Sequence, residues 1–290
     1  MKVRWNGRRL DWVNVAYFGA IHLAALAAPW TFSWTGLGVL LGLYWLSCSP
    51  GICLGYHRLL THRGLRVSKP LEYLLTVFGM LTSEGGAISW VAMHRRHHAL
   101  SDRPGRDVHT PRDGFWWSHF GWVISETEMP IKAMEKRYCP DLLADPVHRF
   151  LNRWHLLPNV LVGTGLYFWG GWPLVVWGVF LRLVVGLHAT WFVNSAAHTW
   201  GYRTYDTPEG STNLWWVGLI AWGEGWHNNH HAFPRSARHG LAWWEFDATW
   251  LLVRSLAAVG LARDVQLLPA GAERFRLDRV PAAAPLEHAA

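Results

Sequence analysis

Four apolar stretches frame what this chain can become: residues 12–29, 36–56, 156–172 and 173–193. Each approaches the ~20 residues that an α-helix needs to cross the hydrocarbon core of a bilayer. Very short turns join the first to the second and the third to the fourth. Pro29 marks one turn, and Gly170, Gly171 and Pro173 mark the other. Such punctuation makes helical hairpins. A bilayer admits only segments that satisfy their own backbone hydrogen bonds, so these stretches are read as helices. The expected fold is an all-α integral membrane protein with four transmembrane helices in two hairpins. One domain is expected over residues 1–280, and the Ala- and Pro-rich residues 281–290, with His288, form an inert, disordered tail.

The charges orient this frame. Of the 27 Lys and Arg, four lie in the first eleven residues, 14 in residues 56–155 and eight in residues 199–290. Arg182 sits inside the fourth stretch, where it would snorkel or line the entrance to the cap, and the two short turns carry none. The positive-inside rule then places both termini, residues 57–155 and residues 194–280 in the cytoplasm, the latter two as a helical cap. The net charge of +7 comes without a basic run. The cations flank apolar stretches, which favours anionic lipid head groups over nucleic acid as the partner. Charged residues are 16% of the chain, under the ~25% usual in soluble domains. Lys2, Arg4, Arg8 and Arg9 before an apolar run imitate a signal peptide, but the run outlasts the ~7–15-residue core of one. Residues 71–90 are only moderately apolar. A fifth crossing there would put basic segments on opposite sides, so an in-plane or half-buried helix is expected. Cys48, Cys53 and Cys139 form no CxxC pair and no disulfide framework.

The histidines are concentrated in this cap. His57 and His62 form HxxxxH at the end of the second stretch. His94, His97 and His98 form HxxHH, and so do His227, His230 and His231. Residues i, i+3 and i+4 share a helix face, so each HxxHH is expected to aim its imidazoles at one place. Positions five apart differ by about 140° on a regular helix. His57 and His62 must therefore wrap around a cluster, or one must lie beyond the helix end. Eight imidazoles exceed the needs of one metal ion, so two ions are implied. Imidazole alone does not choose between iron, zinc, copper and nickel. His198 ends the fourth stretch, with Asn194 four residues earlier on the same face, where it could hold a metal-bound water.

These residues resemble the membrane fatty acid desaturases of the acyl-CoA and acyl-lipid Δ9 type. The likeness rests on Gly55-Tyr56-His57-Arg58-Leu59-Leu60-Thr61-His62, Met93-His94-Arg95-Arg96-His97-His98, Gly114-Phe115-Trp116-Trp117-Ser118-His119, residues 194–206, and Gly223-Glu224-Gly225-Trp226-His227 through Pro234. It implies a cytoplasmic cap over four spans. It implies two irons held by His57, His62, His94, His97, His98, His198, His227, His230 and His231, with Asn194 acting through a water. Zinc could replace iron in purified protein. Trp90, Thr190 and Trp191 match positions that shape a substrate tunnel, whereas His109 and His119 match positions that are not ligands. Ala92 and Met93 stand where animal acyl-CoA desaturases carry Arg-Asp, which brings the chain nearer to bacterial and cyanobacterial members. The implied reaction is O2-dependent insertion of a cis double bond, at Δ9, into a saturated chain on CoA or lipid. Ferredoxin or a cytochrome b5-type donor would supply two electrons, and the implied location is a bacterial inner membrane.

The chemistry agrees with the site. An unactivated methylene has no acidic proton, so acid–base groups alone cannot desaturate it and a redox metal is required. No protein acid or base is assigned. Asp102, Asp107, Glu84 and Glu224 lie near the boxes and are candidates to orient ligand histidines. His188, inside the fourth stretch, is a weaker functional candidate. Two alternatives keep the metal site. A lipid hydroxylase, ketolase or decarbonylase would differ in its products. A non-enzymatic metal-binding or transport protein would spread ionisable groups along the spans rather than gather them at one face.

Overall fold

The computed structural model describes residues 3–277, so the tail at 281–290 and His288 lie outside the described residues. The chain begins with a small hairpin, β1 (Arg4–Trp5) and β2 (Arg8–Arg9). Asp11 then caps α1 (Trp12–Ala25), accepting from Val13 N and Asn14 N. After a 3₁₀ turn at Ala28–Thr31 comes α2 (Trp34–Leu46), which continues without a break as a π-helical segment, Ser47–Thr61. Pro50 inside that segment has no N–H and displaces the carbonyl of the preceding turn. The next strand, β3 (Arg66–Val67), leads into α3 (Lys69–Met80) and α4 (Ala87–Leu100).

Residues 71–90 do not form the single helix expected there. Residues 81–86 separate α3 from α4, and α3 packs half-buried against Ser47–Thr61. Backbones touch there: a Cβ on Gly51 would come within 2.6 Å of Gly79 N and of the Phe78 carbonyl carbon. No side chain of α4 caps its own start. Asn152 does so from a distance, its Oδ1 accepting from Ile88 N at 3.0 Å and Ser89 N at 3.2 Å. That residue belongs to a run of short helices, α5 (Ile131–Tyr138), α6 (Pro140–Ala144) and α7 (Pro146–Arg153).

The third and fourth apolar stretches occupy α8 (Leu157–Val175), a π-helical segment, Val176–Leu181, and α9 (Arg182–Ser195), the fourth running unbroken from the end of α8 through the π-helical segment into α9. α8 breaks at Gly170 and Gly171, where Gly171 has a φ of 69°. The chain reverses there, and Leu166, Leu174, Val175, Val179 and Leu183 pack in one core with Ile21 of α1. Two helical runs, Trp34–Thr61 (28 residues) and Leu157–His198 (42 residues, including the break), are long and apolar enough to cross a membrane. α1 has 14 residues, about 21 Å at 1.5 Å per residue, which is shorter than a typical span.

Arg182 neither snorkels nor lines the cap entrance. It is buried and donates to Gly178 O at 2.9 Å, Leu81 O at 2.6 Å and Asn159 Oδ1 at 2.6 Å. It therefore staples α9 to α8 and to the end of α3. The more polar part of the molecule, residues 57–155 and 199–277, is completed by α10 (Trp215–Ile220), α11 (His227–Ala232), α12 (Ala248–Ala258) and β4 (Ala262–Arg263), which pairs with β3. Both ends of the described chain rest on it: Asp11 N donates to Ile124 O, and Leu277 N to Thr204 O. All three cysteines are buried and free.

Candidate metal centre

The nine histidines converge in two groups. Ligand nitrogens of His57, His62, His94, His98 and His230 lie within 4.8 Å of one another, and those of His97, His198, His227 and His231 do the same. Neither HxxHH aims at one place, contrary to the expectation from spacing. His94 and His98 enter the first group and His97 the second. His227 and His231 enter the second and His230 the first. The reason is angular: i and i+4 differ by about 40° around a helix, while i+3 turns about 60° the other way. α4 and α11 each point a pair at one group and a single ring at the other.

His57 and His62 meet because their helix is π-helical. His62 N donates to His57 O at 3.1 Å, an i+5 to i bond that sets the two residues one above the other. Their ring centroids are 4.8 Å apart.

Carboxylates fix three of the rings. His57 Nδ1 is 2.7 Å from Glu224 Oε2, His97 Nδ1 is 2.9 Å from Asp107 Oδ2, and His198 Nδ1 is 3.0 Å from Asp102 Oδ2. His97 and His198 donate through Nδ1–H, which leaves their Nε2 lone pairs facing inward, while His57 Nδ1 lies within ion-pair distance of Glu224. His57 Nε2 lies 3.1 Å from His230 Nε2, His230 Nε2 lies 3.0 Å from His98 Nε2, and His198 Nε2 lies 3.0 Å from His227 Nε2. His62 Nε2, His97 Nε2 and His231 Nε2 are buried with no protein partner. Lone pairs crowded in this way repel unless cations lie among them. The donor set therefore fits two metal ions, one per group. Burial, and then the neighbouring rings, push His62, His94, His98, His227, His230 and His231 well below the usual histidine range, which leaves them as neutral ligands. Burial alone would raise Glu224, but His57, His239 and Arg58 outweigh it and hold the carboxyl well below its usual range.

The surrounding supports are mostly non-local. Arg58, fully buried, donates to Glu224 Oε1 at 3.1 Å and to Asp247 Oδ1 at 3.0 Å, and Asp247 also caps α12. The two Asn residues between the histidines of α11 are anchors: Asn228 Oδ1 accepts from Thr204 N and Tyr205 N, and Asn229 Nδ2 donates to Glu245 and to His239 O. Two further neighbours carry no signal in the sequence. Glu209 lies 3.5 Å from His231 Nδ1, and buried His239 shares Glu224 Oε2 with His57, its own Nδ1 at 3.0 Å. His109 stacks at 4.3 Å beside His97 but belongs to neither group of histidines. His188 also stays apart, linking His22 at 3.1 Å to His119 at 2.9 Å.

A cavity of about 400 Å³ runs up to this centre, reaching His94 and Asn194. Trp90, Thr190 and Trp191 all line it. Trp90 stacks on His94 with centroids 4.9 Å apart. Glu84 does not orient a histidine, as its place in the sequence had suggested. Its Oε2 accepts from Trp90 Nε1 and its Oε1 from Thr190 Oγ1, both at 3.0 Å, so it clamps two walls of the cavity together. Burial raises its pKa to about 7, with those two hydrogen bonds pulling the other way.

The model of the fatty acid desaturase family matches residues 28–265. The chain is 48% identical to the sn-2 palmitoyl-lipid 9-desaturase of Nostoc sp. (strain 36), over 92% of this chain and 94% of the relative. It is 49% identical to the sn-1 stearoyl-lipid 9-desaturase of Anabaena variabilis, over 89% and 95% of the two chains. The corresponding figures for the sn-1 stearoyl-lipid 9-desaturase of Synechocystis sp. (strain ATCC 27184 / PCC 6803 / Kazusa) are 46%, 89% and 81%.

Proposed function

The chain belongs to the fatty acid desaturase family, and we propose that it introduces a cis double bond at position 9 of a saturated acyl chain carried by a membrane lipid. It is an oxidoreductase of lipid metabolism. In this reading it crosses a bacterial inner membrane four times, with the cap and both termini in the cytoplasm. The observation that carries the reading is the division of nine histidines into groups of five and four beside one cavity.

Two irons are the proposed occupants, and when bound they supply the redox chemistry that activates O2 and takes hydrogen from an unactivated methylene. His57, His62, His94, His98 and His230 hold one. His97, His198, His227 and His231 hold the other, with Asn194 positioning a water. Glu224, Asp107 and Asp102 keep their rings in the tautomer that presents Nε2 as donor. The acyl chain lies in the cavity, where each buried CH2 contributes about 0.8 kcal/mol. Trp90, Thr190 and Trp191 hold it against His94 and exclude water, and Glu84 ties the first two of these together. Two electrons come from ferredoxin or a cytochrome b5-type protein docking on the basic cap.

The test is the fatty-acid profile of a host expressing the chain with a donor supplied, against a His94→Ala control. A new 9-monounsaturated chain absent from the control is the expected result. Hydroxylated or shortened chains, or no new chain from iron-loaded protein with a working donor, would overturn the proposal.

A further inference from the structure

Three histidines outside the metal groups form a chain of their own. His22 of α1, His188 of α9 and His119 of the π-helical turn Trp117–Gly121 are joined in series. His22 Nε2 is 3.1 Å from His188 Nε2, and His188 Nδ1 is 2.9 Å from His119 Nε2. The two ends are tied as well: His22 Nδ1 lies 2.7 Å from Phe18 O, and His119 Nδ1 lies 3.0 Å from Ser195 Oγ. Two of the rings belong to apolar helices, where an ionisable side chain is functional by default.

The direction of each bond follows from its ends. A carbonyl only accepts, so His22 Nδ1 carries a proton. In a neutral ring the other nitrogen then accepts. His188 Nε2–H therefore donates to His22, and His119 Nε2–H donates to His188. His119 Nδ1 is left to accept from the Ser195 hydroxyl, whose other acceptor is Trp191 O at 2.9 Å. Among the described residues the histidines that meet a carboxylate are His57, His97, His148, His198, His231 and His239, and none of these three. Both nitrogens of each ring are used within the chain, which leaves none for a metal ion. Breaking any link orphans a polar atom on each side of it in apolar surroundings.

The chain stands behind the inner wall of the cavity. Trp191 lines the cavity together with His94 and Asn194, where it meets the metal centre, and Phe18 lines it too. Three rings hold Trp191 edge-on: His188 at 5.1 Å, His119 at 5.9 Å and Phe18 at 5.9 Å. Two of them are links of the chain, and the third belongs to the residue whose carbonyl ends it. The three histidines are not in the lining, so they reach an acyl chain only through Trp191 and Phe18. Methylenes of a saturated chain are chemically alike and offer no hydrogen bond, so the walls decide which pair faces the metal centre. A shift of about 1 Å is enough to misplace a reacting group.

We propose that His22, His188 and His119 are positioning residues that lock Trp191 and Phe18 and so select the pair of carbons that reacts. This rests on reading the cavity as the acyl tunnel of a desaturase.

The experiment compares His188→Leu, His22→Leu and His188→Gln with the wild type, as full-length protein in a host supplied with a donor. Leu fills the space and breaks the links. Gln donates through its amide N–H and accepts through its oxygen, so it can keep both. Double-bond positions are read by mass spectrometry of derivatised chains. Both Leu variants should raise the share of neighbouring positions about tenfold or more, and His188→Gln should keep the wild-type distribution. A protein merely destabilised would make less product with the bond in the same place. That result from the Leu variants would overturn the proposal, as would equal scatter from His188→Gln. A second readout needs no turnover. A palmitoyl lipid with a diazirine in mid-chain is bound to purified protein in detergent and irradiated, and the captured residues are read by peptide mass spectrometry. Label should concentrate on Trp191 and its neighbours in the wild type and in His188→Gln, and spread in His22→Leu, the variant farther from the wall. An unchanged pattern in that variant would overturn the proposal. A wild type that desaturates no carrier would remove the proposed activity, while the labelling would still decide the positioning.

Discussion

Asp107→Asn isolates one metal group from the other. Asp107 is fully buried, and its Oδ2 accepts both from His97 Nδ1 and from Asp102 N, each at 2.9 Å. An Asn carbonyl can accept both bonds, so the ring stays in place. What disappears is the negative charge that makes His97 a stronger donor through Nε2. Loss of such a partner lowers metal affinity by about 10- to 100-fold, or roughly 1.4–2.7 kcal/mol. Only the four-histidine group contains His97, so only one ion should loosen. The assay is iron per chain after dialysis against graded chelator. The wild type should lose its ions together at high chelator, whereas the variant should release half its iron at 10- to 100-fold lower chelator and keep the rest. Burial opposes ionisation of Asp107, but His97 and His109 outweigh it and hold the carboxyl below its usual range. Asp107 is thus ionised in folded and unfolded chains alike above about pH 5, and the deficit should be flat from pH 6 to 9. Glu224→Gln should loosen the other half, through His57. Equal loss from both groups, or a change under about twofold, would refute the assignment of these histidines to separate ions.

Three further changes probe the frame. Gly51→Ala forces a Cβ against the backbone of Phe78 and Gly79, and should cost about 1–3 kcal/mol, read as a lower thermal midpoint in detergent. Arg182→Met leaves Gly178 O, Leu81 O and Asn159 Oδ1 without their donor; a loss of about 3–5 kcal/mol is expected, and an unchanged melting temperature would contradict the staple. Glu84→Gln should behave differently above and below neutrality. The folded wild type keeps a proton on Glu84 up to about pH 7, while the unfolded chain releases it near 4.5. Wild-type stability from this group therefore falls as pH rises from 4.5 to 7, and the variant escapes that loss. The variant should match the wild type at pH 5 and exceed it by about 1–3 kcal/mol at pH 8.5, measured by thermal melting at both values.

The parts of this molecule written locally were legible in the sequence. Pro29, Gly170, Gly171 and Pro173 mark the turns, and the apolar runs between them form helices close to the expected limits. The three histidine boxes carry their chemistry in spacings of three, four and five residues. What was not legible depends on how elements meet. Glu84 clamps Trp90 to Thr190, which lies 106 residues beyond Glu84, and Glu209 and His239 reach the histidines from loops with no motif. Arg182 reads as an isolated charge in an apolar run until Asn159 of α8 and Leu81 after α3 supply acceptors from outside that run.

The division of the ligands shows most clearly why spacing alone was insufficient. HxxHH allows all three rings to point one way only if the target is broad. Two compact targets separate i and i+4 from i+3. α4 gives its pair to the five-histidine group and its single ring to the four-histidine group, and α11 does the reverse. Two rigid helices are therefore shared by both groups, and His98 and His231 stack between them with centroids 4.5 Å apart. The spacing of the two groups is therefore tied to α4 and α11, each of which carries rings of both, while His57 and His62 complete only the five-histidine group and His198 only the four-histidine group.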